Sequence, residues 1–241
     1  MVSCVGSRLY ISLAVPLERI LIMAPVLLFS IVAHEYAHAE AAYRQGDTTA
    51  YMLGRLTLNP LKHIDPFMTV LVPLFMIAMN FPFVFGAAKP VPVNPRNYRN
   101  YRRGEIIVSL AGIATNLALF CVAAIGFALV GLVGRGLDTL APTLAVLQQM
   151  MFWGMYLNLV LAFFNLIPVP PLDGSHVLKL FLPPTAGIRF RQLYAFGFLP
   201  ILLVMWLLPG VVDAFMSPAV HLMRLVGRMV LPFEIPGGWP S

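Results

Sequence analysis

Long apolar runs alternate along the chain with short stretches rich in arginine, lysine, proline and glycine. Runs near 20–43, 67–86, 104–134, 145–167, 193–209 and 211–231 reach or approach the roughly 20 apolar residues that a helix needs to cross a hydrocarbon core about 30 Å thick. The pattern predicts an all-α polytopic membrane protein with about 5–6 transmembrane helices. The second run is irregular, because Pro73, Asn80 and Pro82 fall within it. Proline removes a helical hydrogen bond, so a re-entrant or broken element between the first and third spans suits it better than a simple crossing. Residues 51–58, "YMLGRLTL", and 84–93, "VFGAAKPVPV", have short strand-like character, which adds a β-like membrane-associated element to that expectation. In 193–231, Pro200, Pro209 and Pro218 are compatible with two full spans or with a gate.

Composition sharpens the class. Of the 241 residues, 59% are hydrophobic and 11% charged, too little charge to cover a water-soluble surface. No long polar segment, repeat or linker divides the chain, so 1–241 reads as a single integral membrane domain, with a core at 20–182 and C-terminal helices at 193–231. Glu18 and Arg19 interrupt the first apolar segment, which makes it a poor signal peptide. Cys4 and Cys121 are far apart and suggest neither a disulfide framework nor a thiolate metal site.

The net charge of +6 reads as topology rather than as a nucleic-acid footprint. Arg44, Arg55 and Lys62 follow the first span, Lys89, Arg96, Arg99, Arg102 and Arg103 precede the third, and Lys179, Arg189 and Arg191 follow the fourth. The positive-inside rule puts these stretches in the cytoplasm, so the C-terminal ends of the first and fourth spans meet near that face.

The chemistry sits inside the first span. "HEYAH", residues 34–38, fits H-E-x-x-H. Residues four apart on a helix lie one turn apart on one face, so His34 and His38 can reach a single ion, with Glu35 beside them as a base for water. Ionisable groups at this depth are costly and usually functional. Catalytic zinc commonly keeps three protein ligands and one open position, so a third ligand is expected elsewhere at membrane depth. His63, Asp65 and His221 are weaker candidates, lying in polar, basic or turn-like surroundings. Asp173 stands out in "NLIPVPPLDGSHVL", where Pro168, Pro170 and Pro171 break the fourth span near its cytoplasmic end and Gly174 permits a sharp re-entry. His176 reads as a packing residue before a partner of the ligands or a spare ligand, and Glu40 as a solvated residue without a role.

Taken together, His34-Glu35-x-x-His38 and the later Asn165-x-x-Pro168 with Leu172-Asp173-Gly174 resemble the site-2 protease family of intramembrane zinc metalloproteases. "GRLTLNPLKHIDP" (54–66), "AKPVPVNPRNYR" (88–99) and Gly112-x-x-x-Asn116 resemble its compact bacterial and archaeal members, so the likeness covers roughly 20–182. It implies one Zn2+ per chain held by His34, His38 and Asp173, with Glu35 as catalytic base. Substrates would be transmembrane segments of membrane-anchored proteins, cut within or near the bilayer. Asn116 would contact substrate or help stabilise the reacting carbonyl, or else simply pack, and Asn165 would order the loop backbone. No PDZ-like insertion or soluble regulatory domain is recognisable. The expected setting is a prokaryotic cytoplasmic membrane with the active site toward the cytoplasmic side, a lipid bilayer and a membrane-anchored protein as partners, and no nucleic acid. Oligomeric state is left open. The 51–58 and 84–93 stretches could pair with an unwound substrate by strand addition. A zinc-binding membrane transporter and a catalytically silent scaffold are the alternatives.

Overall fold

The computed structural model describes residues 17–66, 71, 75, 89–137 and 139–236. Its helices are α1 (Leu17–Gln45), α2 (Thr49–Met52), α3 (Tyr101–Gly134), α4 (Ala141–Asn165), α5 (Asp173–Leu178), α6 (Pro184–Gln192), α7 (Leu199–Leu207) and α8 (Pro209–Val230). Three are long and apolar enough to cross a membrane: α1, α3 and α4. Pro184–Phe196 and Leu199–Leu207 form a pair bent by 98°, which makes a fourth if it is one broken span. The predicted segment at 67–86 lies outside the described residues except for Leu71 and Phe75.

Among the described residues there is no strand. The predicted strand-like stretch 51–58 begins instead in the helical turn α2 and continues through a turn at 53–54. The cause is local: the Asp47 carboxylate accepts from the Thr49 backbone N–H at 3.1 Å and its hydroxyl at 2.5 Å, and a turn begun this way competes with extended chain. Residues 89–93 are irregular, and 84–88 lie outside the described residues.

The bundle is centred on α3 and α4, with α1 packed against both. Phe120, Ala123, Ala124 and Phe127 of α3 interdigitate with Met155 and Leu159 of α4, and Ala219 and Val230 of α8 close this core from outside. Water would penalise the outer surface, since Val122, Ile125, Leu129 and Leu132 of α3 are all more than half exposed. Lipid would not, because its chains are as apolar as these residues. In such a solvent, polar contacts specify how helices meet. Asn158 of α4 donates to Ser30 Oγ of α1 at 2.9 Å and to the Gly154 carbonyl at 2.8 Å, all deep inside the bundle.

The two ends are fastened differently. At the end formed by the C-terminus of α3 and the N-terminus of α4, Gln148 donates to the carbonyls of Phe127 and Phe233 and accepts from Ile235 N–H, holding the chain beyond α8 in place. At the other end, Ile167 and Leu172 from the proline-rich break pack with Ile201 of α7, alongside Val212 and Phe215 of α8.

Asp47 ties the end of α1 to the chain entering α3. Fully buried, it accepts from Asn94 N–H at 2.6 Å and Asn97 Nδ2 at 2.8 Å in addition to the two Thr49 donors. Burial pushes its carboxyl upward, but the hydrogen bonds from Asn94, Thr49 and Asn97 outweigh this and hold it below the usual carboxylate range. A group depressed on folding contributes stability that is present above its unfolded value, about 3.9, and lost as pH falls through the folded one. We expect Asp47→Asn to cost about 2–3 kcal/mol near neutral pH, the scale of hydrogen bonds to a charged group. Wild type should also lose stability more steeply below about pH 4 than the variant does. Unfolding in detergent across pH 3–7 checks this, and parallel profiles would overturn it.

Candidate metal centre

The i, i+4 spacing on α1 sets the two imidazoles edge to face, with ring centroids 4.6 Å apart and Nε2 atoms 2.9 Å apart. Asp173 enters from the far side of the cavity as the first residue of α5, just after the cis Pro170–Pro171 peptide. Gly174 lets α5 start there, because a Cβ at this position would collide with the Leu166 backbone carbonyl. Asp173 Oδ2 lies 3.2 Å from both His34 Nε2 and His38 Nε2. The three atoms outline a triangle with edges of 2.9, 3.2 and 3.2 Å. Three ligands on a tetrahedral zinc with bonds of about 2.0 Å would be roughly 3.3 Å apart.

The hydrogen bonding around the triangle also points to a cation. His38 Nδ1 sits 2.7 Å from the Val108 carbonyl, which can only accept, so Nδ1 carries the proton and Nε2 is left with a lone pair. On the other ring, the Asn116 amide nitrogen is 3.1 Å from His34 Nδ1, while Asn116 Oδ1 is buried without a partner. Rotating the amide gives Oδ1 the Nδ1–H as donor and leaves a second bare Nε2. Asp173 Oδ2 is likewise buried and in hydrogen-bond geometry with nothing. With both imidazoles neutral, two lone pairs and a carboxylate oxygen face one another, an arrangement that a divalent cation suits. Among the described residues, this is the one group of three His, Cys, Asp or Glu side chains whose ligand atoms are close enough to share an ion.

Gly112 makes the room. A Cβ there would stand 2.5 Å from His34 Cε1 and 2.6 Å from the Nε2 atoms of both histidines. The backbone of α3 therefore forms a wall of the site, with Val108 below, Gly112 level and Asn116 above on one face. The cavity in front holds about 440 Å³ and is lined by His34, Glu35, His38, Glu105, Asn165 and Asp173 among others. Glu35 projects into it, and its Oε2 accepts from Val91 N–H at 2.8 Å. Pro90 and Pro92 have no N–H, so Val91 supplies the donor in that short run.

The structure thus brings His34, Glu35, His38, Asn116 and Asp173 to one place. It separates the other candidates from the triangle. His63 is buried and bonded to the Thr57 carbonyl, and His221 is exposed on α8. Glu40 forms an exposed pair with Arg44, and Asp65 lines the cavity without joining the ligand group. Asn165 donates to the Leu161 carbonyl at the end of α4. His176 is bonded to Glu105, which sequence reasoning passed over together with the Val108 carbonyl. A backbone acceptor leaves no mark in the residue pattern. Nor does the residue pattern link Glu105 to "DGSH" before folding.

Residues 137–207 match the family model described as Peptidase family M50. The candidate zinc metalloprotease YwhC of Bacillus subtilis is 40% identical over 195 residues, which cover 80% of this chain and 84% of that protein. The candidate zinc metalloprotease Rip2 of Mycobacterium tuberculosis H37Rv is 32% identical over 200 residues, covering 83% and 72%. Its namesake from Mycolicibacterium smegmatis is 33% identical over 178 residues, covering 74% and 64%. No solved structure matches the chain. The ligand triangle and these likenesses, reached independently, lead to one conclusion: the chain belongs to peptidase family M50, the site-2 protease family.

Proposed function

We propose that the protein is an intramembrane zinc metalloprotease that hydrolyses peptide bonds in transmembrane segments of membrane-anchored proteins. The observation that carries this reading is the buried triangle of His34 Nε2, His38 Nε2 and Asp173 Oδ2 with the Glu35 carboxylate beside it, its two histidines and Glu35 on a helix long and apolar enough to span a bilayer. His34, His38 and Asp173 would hold one Zn2+ per chain. When bound, the ion supplies Lewis acidity, bringing the pKa of water toward ~7 and polarising a carbonyl.

The protein's own groups do the rest. Val108 and Asn116 orient the imidazoles so that both Nε2 atoms face Asp173 and would be free to bind the ion. Glu35 takes a proton from the attacking water and delivers it to the leaving amine, as general base and then general acid. Its bond to Val91 N–H holds the carboxylate in place in the absence of substrate. Asn116, buried against His34, acts as a positioning residue in this scheme, rather than as the contact to substrate that the family resemblance implied. A transmembrane substrate must unwind before its peptide bond reaches the triangle, because a helical carbonyl is already engaged.

In this reading the whole of 1–241 is one membrane protease domain. Five to six crossings, with 67–86 as a re-entrant element, would complete the bundle. The basic residues at the metal-site end, among them Arg44, Arg55, Lys62, Arg99, Arg102 and Lys179, support an active site facing the cytoplasm. Partners are the bilayer and a membrane-anchored protein substrate, with no nucleic acid.

Glu35→Gln tests the assignment. It keeps the shape and the Val91 contact but cannot accept a proton, so cleavage of a membrane-anchored substrate in proteoliposomes should fall by about 10²–10⁴-fold with zinc content unchanged. Equal cleavage by the variant and wild type would overturn the assignment.

A further inference from the structure

The third ligand rides on a helix too short to hold itself in place. α5 has six residues and starts at Asp173 with no side-chain N-cap. Besides its apolar packing, polar contacts on two sides hold it. On one side Ser175 Oγ lies 2.6 Å from Tyr194 Oη. On the other, Glu105 of α3 reaches across: its Oε1 is 3.0 Å from His176 Nδ1 and forms an ion pair with Lys179, whose Nζ is also 3.1 Å from His176 Nδ1. The Glu105 side chain is 3% exposed and that of Lys179 10%, so the pair is shielded from water. A buried ion pair is weak evidence for stability, since an apolar contact of similar shape often stabilises as much. What it offers is geometry, because one carboxylate oxygen must meet two donors at once.

Glu105 also occupies a telling place. It lies on the α3 face that carries Val108, which orients His38, Gly112, which contacts both imidazoles, and Asn116, which orients His34. The helix that sets the two histidines therefore also holds the element carrying the aspartate.

We propose that Glu105 is a positioning residue for the metal site: by gripping His176 and Lys179 it fixes α5, and so holds Asp173 in register with His34 and His38. The inference rests on the metal-binding reading above. Its test uses the full chain in detergent or nanodiscs, with zinc affinity measured by chelator competition and the visible spectrum of the Co2+-substituted protein recorded. Glu105→Gln should weaken zinc binding by about 10–100-fold, the usual range for residues that orient ligands, and should alter the Co2+ bands. The rise in Tm produced by zinc should shrink, whereas a purely structural role would lower the metal-free and loaded Tm together. Lys179→Met removes the grip from the other end and should behave alike, which covers the case of an unstable Glu105 variant. Zinc affinity within threefold of wild type and an unchanged Co2+ spectrum in either folded variant would overturn the inference. If the wild-type chain itself took up no zinc, the metal-binding reading would fall instead.

Discussion

Gly112→Ala should abolish tight zinc binding while leaving the helix bundle folded. The added methyl would stand 2.5–2.6 Å from ring atoms of both histidines, where carbon cannot fit. The rings have little freedom to retreat, since His38 is pinned to the Val108 carbonyl and His34 lies against Asn116. Opposing effects on stability make the result diagnostic. Alanine in place of glycine within a helix gains up to ~1 kcal/mol, whereas overpacking a core costs about 1–3 kcal/mol, so the metal-free protein should unfold within a few kcal/mol of wild type. The ligand triangle has no such compensation, and displacing both Nε2 atoms should reduce zinc affinity by about 100-fold or more, beyond the usual effect of disturbing groups that only orient ligands. Chelator competition alongside circular dichroism separates the two effects. Helical protein that binds zinc as wild type does would contradict the wall that α3 forms.

Asp173→Asn should have an effect of similar size by a different route. The substitution preserves shape but exchanges a carboxylate oxygen for a neutral amide, a poor partner for a dication beside two neutral imidazoles. Oδ2 stands at the vertex 3.2 Å from both nitrogens, so an amide NH2 turned that way would donate to their lone pairs and occupy the metal's place. Zinc affinity is expected to fall by about 100-fold or more, and proteolysis with it. Raising zinc should recover part of the activity in Asp173→Asn but none in Glu35→Gln, since one loses the ion and the other a proton acceptor. An Asp173→Asn protein that kept its zinc through dialysis would remove Asp173 from the ligand set.

How much of this was legible beforehand varied with the kind of contact. His34 and His38 could be paired because helical periodicity turns a spacing of four into proximity. Asp173 could be nominated because three prolines mark where a membrane helix must stop, and an acid at such a stop is either a solvated loop residue or a ligand. The spans of α1, α3 and α4 followed from hydropathy to within four residues at their ends. The stretch 51–58 was misjudged because its alternation resembles a strand, while the deciding interaction comes from Asp47, a residue outside that stretch. Lys179 entered only as a topological charge and Glu105 not at all, because nothing in one dimension says that they face each other. The same holds for Val91, whose N–H meets Glu35 from a segment more than fifty positions away.

The face of α3 bearing Glu105, Val108, Gly112 and Asn116 has a consequence for which changes of length the chain can absorb. One residue inserted into a helix turns everything beyond it by about 100° and advances it by 1.5 Å. Between Glu105 and Asn116 such an insertion would point part of the set at lipid, and no side-chain repacking could compensate. Beyond Asn116 the helix touches none of the groups that orient the ligands, and the loop joining α3 to α4 is farther still. Insertions and deletions should therefore be tolerated best in the loop joining α3 to α4 and excluded from about three turns of one helix, which acts as the ruler against which the catalytic centre is measured.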